Sequence, residues 1–166
     1  MARRSAALCR WKKDKVEINY ETQKNMSEFD RSKSLQELEN EDWGEPTFES
    51  HLVQECHRLS RVPLKDFTVE NLRIMIGQNF NLNYLIPLAI EKLEQNPLAE
   101  GDYYAGDLLV NVLRADSKFW LKFPDLKLKV TKIADEAFEI PTIMKFEFEP
   151  IRDAYNLFLR ASASLR

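Results

Sequence analysis

A chain of 166 residues, 44% of them apolar, supplies one domain with a real core, and no stretch nears the roughly 20 apolar residues of a membrane span. The run Ala6, Ala7, Leu8, Cys9 is too short for a signal-peptide core, and Cys9 and Cys56 make no disulfide framework, so reduced thiols in the cytoplasm are expected. The net charge of −3 is uneven: residues 1–33 carry nine Lys/Arg against five Asp/Glu, residues 34–114 six against fourteen, and residues 115–166 nine against eight.

Residues 1–33 are polar and lack a sustained period, which reads as a disordered or frayed extension. Met26 is a candidate alternative start, a reading that a native peptide from residues 1–25 would refute. Ser34-Leu35-Gln36-Glu37 is a capping box and opens a short helix to about Asn40, after which Gly44 and Pro46 end the link. From Thr47, the positions Phe48, Leu52, Val53, Cys56 and Leu59 recur at helical spacing and predict one buried stripe, stopped by Pro63. Thr68 caps a second such helix with Val69, Leu72, Met75 and Ile76 inward and Gly77 as its C-terminal stop.

The run Leu82, Leu85, Ile86, Ala89, Ile90 and Leu93 predicts the most buried helix, with Pro87 near its first turn and Asn96-Pro97 closing it. Leu108, Leu109, Val112 and Leu113 form the next helix. Asp116 caps a short one carrying Phe119 and Trp120, and Pro124 starts another with Leu126, Val130, Ile133, Ala134, Ala137 and Phe138. In "IMKFEFE" apolar and charged residues alternate, which predicts an extended arm near 142–149. Pro150 opens a last amphipathic helix with Ile151, Ala154, Tyr155 and Phe158 on one face. The expectation is an all-α compact domain of several short helices over 34–140, followed by a C-terminal arm and helix over 141–166.

Little chemistry is on offer. His51 and His57 are six residues apart, about 120° off a common helical face, and Cys56 lies about 140° from His51, so no metal cluster forms locally. A hydrogen-bonded helix histidine and a core cysteine are expected instead. No nucleophile elbow, P-loop or dinucleotide fingerprint exists. The pairs Glu41/Asp42 and Glu136/Glu139 carry no apolar pocket signal that would separate their pKa values. No catalytic residue, metal or cofactor is expected, and the chain reads as a non-enzyme.

The stretch "EGDYYAGDLL" gathers three carboxylates, two tyrosines and two glycines over residues 100–109. Asp107 precedes a helix and reads as its N-cap, while Gly101 and Gly106 permit the left-handed turns of a tight loop. A divalent cation would want more oxygen ligands than this loop offers. What remains is either a turn between helices or a surface suited to a cleft rich in Arg and Lys. The acidic middle segment agrees with a basic protein partner and disfavours direct nucleic-acid binding, although a solvated face gives the same pattern.

The segments "SLQELENEDWGEP", "PLKDFTVENLRIMIGQN", "LIPLAIEKLEQNPLAEGDYYAGDLL" and "FWLKFPDL" resemble the immunity proteins of contact-dependent growth inhibition (CDI) systems, from about Ser34 to Phe138. The resemblance implies an α-helical protein that binds the C-terminal toxin domain of an effector delivered by a neighbouring cell. Toxins paired with this group include ribonuclease-A-like enzymes. The extra N-terminal residues and the tail after about Ile140 depart from the pattern, which leaves the toxin's identity open.

A ribonuclease cleft that holds RNA is basic, so carboxylates acting as phosphate mimics would raise both affinity and on-rate. The candidate toxin contacts are Glu100, Asp102, Tyr103, Tyr104 and Asp107, with Glu41, Asp42, Trp43 and Glu45 as a second acidic-aromatic patch. Trp43 has an alternative role as a core plug. A monomer that blocks its toxin one to one, without membrane contact, is the expectation. The alternatives are an acidic adaptor or scaffold for a basic housekeeping partner, and a small hydrolase with a pocket assembled from distant residues.

Overall fold

The computed structural model describes residues 29–140 and 149–161. Among these residues the elements are helical: α1 (Leu35–Glu39), α2 (His51–Ser60), α3 (Val69–Gly77), α4 (Leu82–Gln95), α5 (Asp107–Leu113), α6 (Ser117–Lys122), α7 (Pro124–Glu139) and α8 (Glu149–Arg160), with one 3-10 turn at Leu64–Asp66. The all-α expectation is met. The extended arm expected near 142–149 lies outside the described residues except for Glu149, which begins α8.

The local start signals work as physical chemistry requires. Ser34 Oγ accepts from the Glu37 amide at 3.3 Å and the Glu37 carboxylate accepts from the Ser34 amide at 2.7 Å. Thr68 and Asn71 exchange the equivalent pair at the start of α3, and Asp116 Oδ1 accepts from the Lys118 amide at 2.9 Å to begin α6. Pro124 occupies the first turn of α7, where no amide is needed.

The centre of the core is α5. Leu108, Leu109, Val110, Val112 and Leu113 are all buried, so this short helix is apolar nearly all round. It packs against α3, α4 and α8 together, which is why it, and not α4 as expected, is the most enclosed element. In α4 the buried residues are Leu85, Ile86, Leu88, Ala89, Ile90 and Leu93, while Asn83 and Lys92 face solvent. Pro87 stands in the second turn of α4, one turn later than expected, and the partner its missing amide leaves behind is the carbonyl of exposed Asn83.

Gly77 ends α3 as expected, and a Cβ there would stand 2.6 Å from Asn111 Oδ1, so glycine also lets α3 approach α5 closely. One further expectation is corrected. Residues 29–33, read from sequence as part of a frayed extension, are packed: Phe29 meets Tyr84 edge-on at 5.3 Å, and Arg31 makes a two-pronged ion pair with Glu91 of α4.

The C-terminal helix joins the same core. Ile151, Ala154 and Phe158 are buried against α5 and its neighbours. Tyr155 donates its hydroxyl to Asp135 Oδ1 of α7 at 2.8 Å, and burial together with that acceptor pushes its pKa up to about 12.

Candidate functional site

The loop between α4 and α5 is built from both ends. At its start Asn96 Oδ1 accepts from the Leu98 amide at 3.1 Å and the Asn96 carbonyl from the Ala99 amide at 2.9 Å. At its end the Gly106 amide donates back to the Leu98 carbonyl at 3.1 Å, closing the loop at its base. Gly106 has φ +86°, the left-handed conformation expected of it, and a Cβ there would fall 2.7 Å from Ile151 Cδ1. The C-terminal helix therefore seats directly against the loop's last turn.

Asp107 is not an N-cap. Gly106 holds the cap position, and Asp107 is the first residue of α5, only 1% exposed. Its carboxylate turns back under the loop: Oδ1 accepts from the Gly101 amide at 2.7 Å and Oδ2 from the Tyr103 amide at 3.2 Å. From α3, Arg73 Nε lies 3.8 Å from Asp107 Oδ2 and donates to Glu70 Oε2 at 2.6 Å, while Arg73 Nη2 donates to Glu70 Oε1 at 2.6 Å. Glu70 Oε2 also accepts from the Asp102 amide at 3.0 Å. Three loop amides thus end on two carboxylates, with one guanidinium between them. Charge-assisted bonds of this kind are the strong ones.

The pKa shifts follow from that geometry. The Arg73 guanidinium, with burial opposing it and the Asp102 amide assisting, holds the Glu70 carboxyl below its ordinary value. Glu70 in turn raises Arg73. Gly101 sits where a Cβ would meet the Glu70 carboxylate, and at 2.9 Å Asp107 Oδ2. Its φ is not left-handed, so the expected reason for this glycine is replaced by another: it is there for close approach.

This scaffold decides what the loop shows to solvent. Tyr103 is 70% exposed, with the Arg73 guanidinium 4.5 Å from its ring centroid. Asp102 and Glu100 are exposed, whereas Tyr104 is half-buried and packed against the core. Of the five loop residues expected as contacts, Asp107 is corrected to an internal anchor, because a carboxylate that is 1% exposed and already accepting two amides has no face to offer a partner.

The second patch is a surface link. Trp43 is half-buried, packed 5.0 Å from the Phe80 ring and edge-on to His57 at 5.8 Å, so it closes the rim of the core. Asp42 Oδ1 accepts from the Gly44 amide at 2.8 Å. The Gly44 carbonyl accepts from Arg61 Nη2 at 2.8 Å and stands 3.2 Å from His57 Nδ1, and Glu45 pairs with Arg61 at 3.1 Å. Glu41 is partly exposed and donates its amide to the Gln36 carbonyl at 2.9 Å. The two patches attach to α3 at separate places: the loop at Glu70 and Arg73, in the first half of the helix, and Trp43 at Phe80, beyond its last residue.

Sequence periodicity misplaced two apolar residues. Phe48 and Leu52, expected in the buried stripe, are 47% and 41% exposed. Ser50 is the N-cap position of α2, so Phe48 lies outside the helix and off its register, and Leu52 falls in the first turn. Cys56 is buried as expected, and no group of His, Cys, Asp and Glu among the described residues is arranged to hold a metal ion. No helix among them is long and apolar enough to cross a membrane.

A family model described as CDI immunity proteins matches residues 37–130, more than half of the chain. That span runs from the first turn of α1 into α7 and contains both acidic-aromatic patches together with the Glu70–Arg73–Asp107 scaffold. No curated protein and no solved structure matches.

Proposed function

The chain belongs to the CDI immunity proteins, whose work is to neutralise a toxin, and on that premise we propose that it does so by stoichiometric blockade of a basic nuclease domain, without catalysis of its own. The observation that carries the reading is the loop over residues 100–104. Its backbone is fixed by Asp107 and Glu70, and it holds Tyr103, Asp102 and Glu100 outward in one geometry before any partner arrives.

A pre-ordered loop loses little conformational freedom on binding, so more of the contact energy appears as affinity. The aromatic ring supplies area for a central contact, and the two carboxylates steer a basic cleft toward it. Phe48 and Leu52 add exposed apolar surface on the acidic segment of the chain. Trp43, at the rim of the core, belongs to the support of the second patch, and Asp42 and Glu45 are its outward charges. The site of action is the cytoplasm, where a delivered nuclease meets its substrate.

Co-expression tests this reading. The chain should protect cells against the toxin domain of its own system and not against unrelated nucleases, while the purified protein turns over no substrate. Equal protection against several unrelated nucleases would contradict it, as would turnover abolished by a single carboxylate substitution.

A further inference from the structure

The loop over residues 100–104 is too small to hold a toxin domain alone. A stable interface takes about 800 Å² and roughly 20–30 residues from each partner. The rest of the contact has to lie on surrounding surface, and the exposed apolar side chains there fall into two sets. Leu121 and Leu128 stand in residues 114–132, which carry six Lys/Arg against two Asp/Glu, a balance that repels a basic partner. Leu157, which lines one pocket with Leu121, belongs to the same side. Phe48 and Leu52 stand instead in residues 41–55, which carry five Asp/Glu and no Lys or Arg.

At the start of α2 an apolar face runs out past the core. Leu52, Cys56 and Leu59 share one side of the helix, at i, i+4 and i+7. Cys56 and Leu59 are 4% and 0% exposed, yet Leu52 is 41% exposed. Phe48, two positions before the Ser50 cap, is 47% exposed. Between them Glu49 is exposed and makes no ion pair among the described residues. This surface is continuous with the loop. Glu55, three positions after Leu52, accepts from Arg58 Nε at 2.9 Å, and its charge reaches the Glu70 carboxyl. Glu70 is the group that takes the Asp102 amide at 3.0 Å.

Taking the loop as toxin-facing, we propose that the same toxin domain also covers the start of α2, seating Phe48 and Leu52 in an apolar recess rimmed by Lys or Arg. Apolar seating governs how long the complex lasts, whereas the loop carboxylates govern how fast it forms.

Two measurements on the full chain with its cognate toxin domain test this. By surface plasmon resonance, the Phe48→Ser, Leu52→Ser variant should dissociate about tenfold or more faster. Its association rate and salt dependence should stay nearly unchanged, because no charge is altered. Hydrogen exchange needs no variant: the first-turn amides of α2 lack intrahelical acceptors, and the Ser50 side chain caps none of them. They should exchange fast in the free chain and about tenfold or more slowly in the complex. Unchanged dissociation of the variant, or unchanged exchange at residues 51–53, overturns the proposal. If the Glu100→Lys, Asp102→Lys variant still associates slowly at low salt, the loop keeps its role through that failure. If that variant associates normally, the loop loses its role, and the extension onto α2 falls with it.

Discussion

The two acidic-aromatic patches have similar composition and opposite construction. The loop over residues 100–104 rests on carboxylates beneath it, with Asp107 buried and Glu70 half-buried, and both locked to Arg73. The link over residues 41–45 rests on bonds at the surface, from Arg61 to Glu45 and to the Gly44 carbonyl, with one half-buried ring, Trp43, as its wedge. Exposed ion pairs contribute little, whereas a buried carboxylate that satisfies several amides is costly to remove. What separates the two patches is the depth of the groups that answer their backbone amides.

That contrast is broken most strongly at Asp107. Asp107→Ala removes the acceptor of two amides and the partner of Arg73, and should lower stability by about 3–5 kcal/mol in denaturant unfolding; as a mere helix cap it would cost about 1 kcal/mol. Gly106→Ala comes next. The left-handed backbone costs about 1–2 kcal/mol and the encounter with Ile151 adds to it, so a loss of about 2–3 kcal/mol is expected, with α8 loosened as read by hydrogen exchange.

Tyr103→Ala should leave the melt nearly unchanged and raise toxin dissociation by the equivalent of about 1–3 kcal/mol, measured by surface plasmon resonance. At the other patch, Glu45→Ala should change stability by less than about 1 kcal/mol, since its pair with Arg61 is exposed.

Acid sharpens the same comparison. Glu70 is held below its ordinary 4.5 in the folded protein. Its carboxyl therefore binds fewer protons folded than unfolded just below that value, and stability falls as pH drops from about 4.5 through the folded pKa. Glu70→Gln should remove this component, so its melting temperature should decline less steeply than that of the unaltered protein below about pH 4.5.

Most of the helices were legible in the sequence because their signals are local. The boxes at Ser34/Glu37 and Thr68/Asn71, the cap at Asp116 and the proline at Pro124 each act within one turn. The anchoring of the loop was not legible. Nothing near residues 100–107 announces that Glu70 and Arg73, more than 25 positions earlier, will meet Asp107; their i,i+3 spacing on α3 reads as an ordinary surface pair.

Asp107 itself carries the pattern of a cap, since an acidic residue before an apolar run fits both roles until the direction of its side chain is known. Gly101 and Gly106 were legible as loop glycines, but only the packing separates close approach at the first from a left-handed turn at the second. The exposure of Phe48 and Leu52 was hidden because helical periodicity says nothing about where the helix begins.

The central claim, that the loop is a fixed acidic display for a basic toxin cleft, is tested most directly by the association rate of the Glu100→Lys, Asp102→Lys double variant with the cognate toxin domain at low and high salt. Both side chains are exposed, so the variant should melt like the unaltered protein. It should associate about tenfold or more slowly at low salt, and that deficit should shrink as salt screens the charges. A variant that folds normally and associates with unchanged rate and salt dependence would contradict the account and place the docking surface elsewhere.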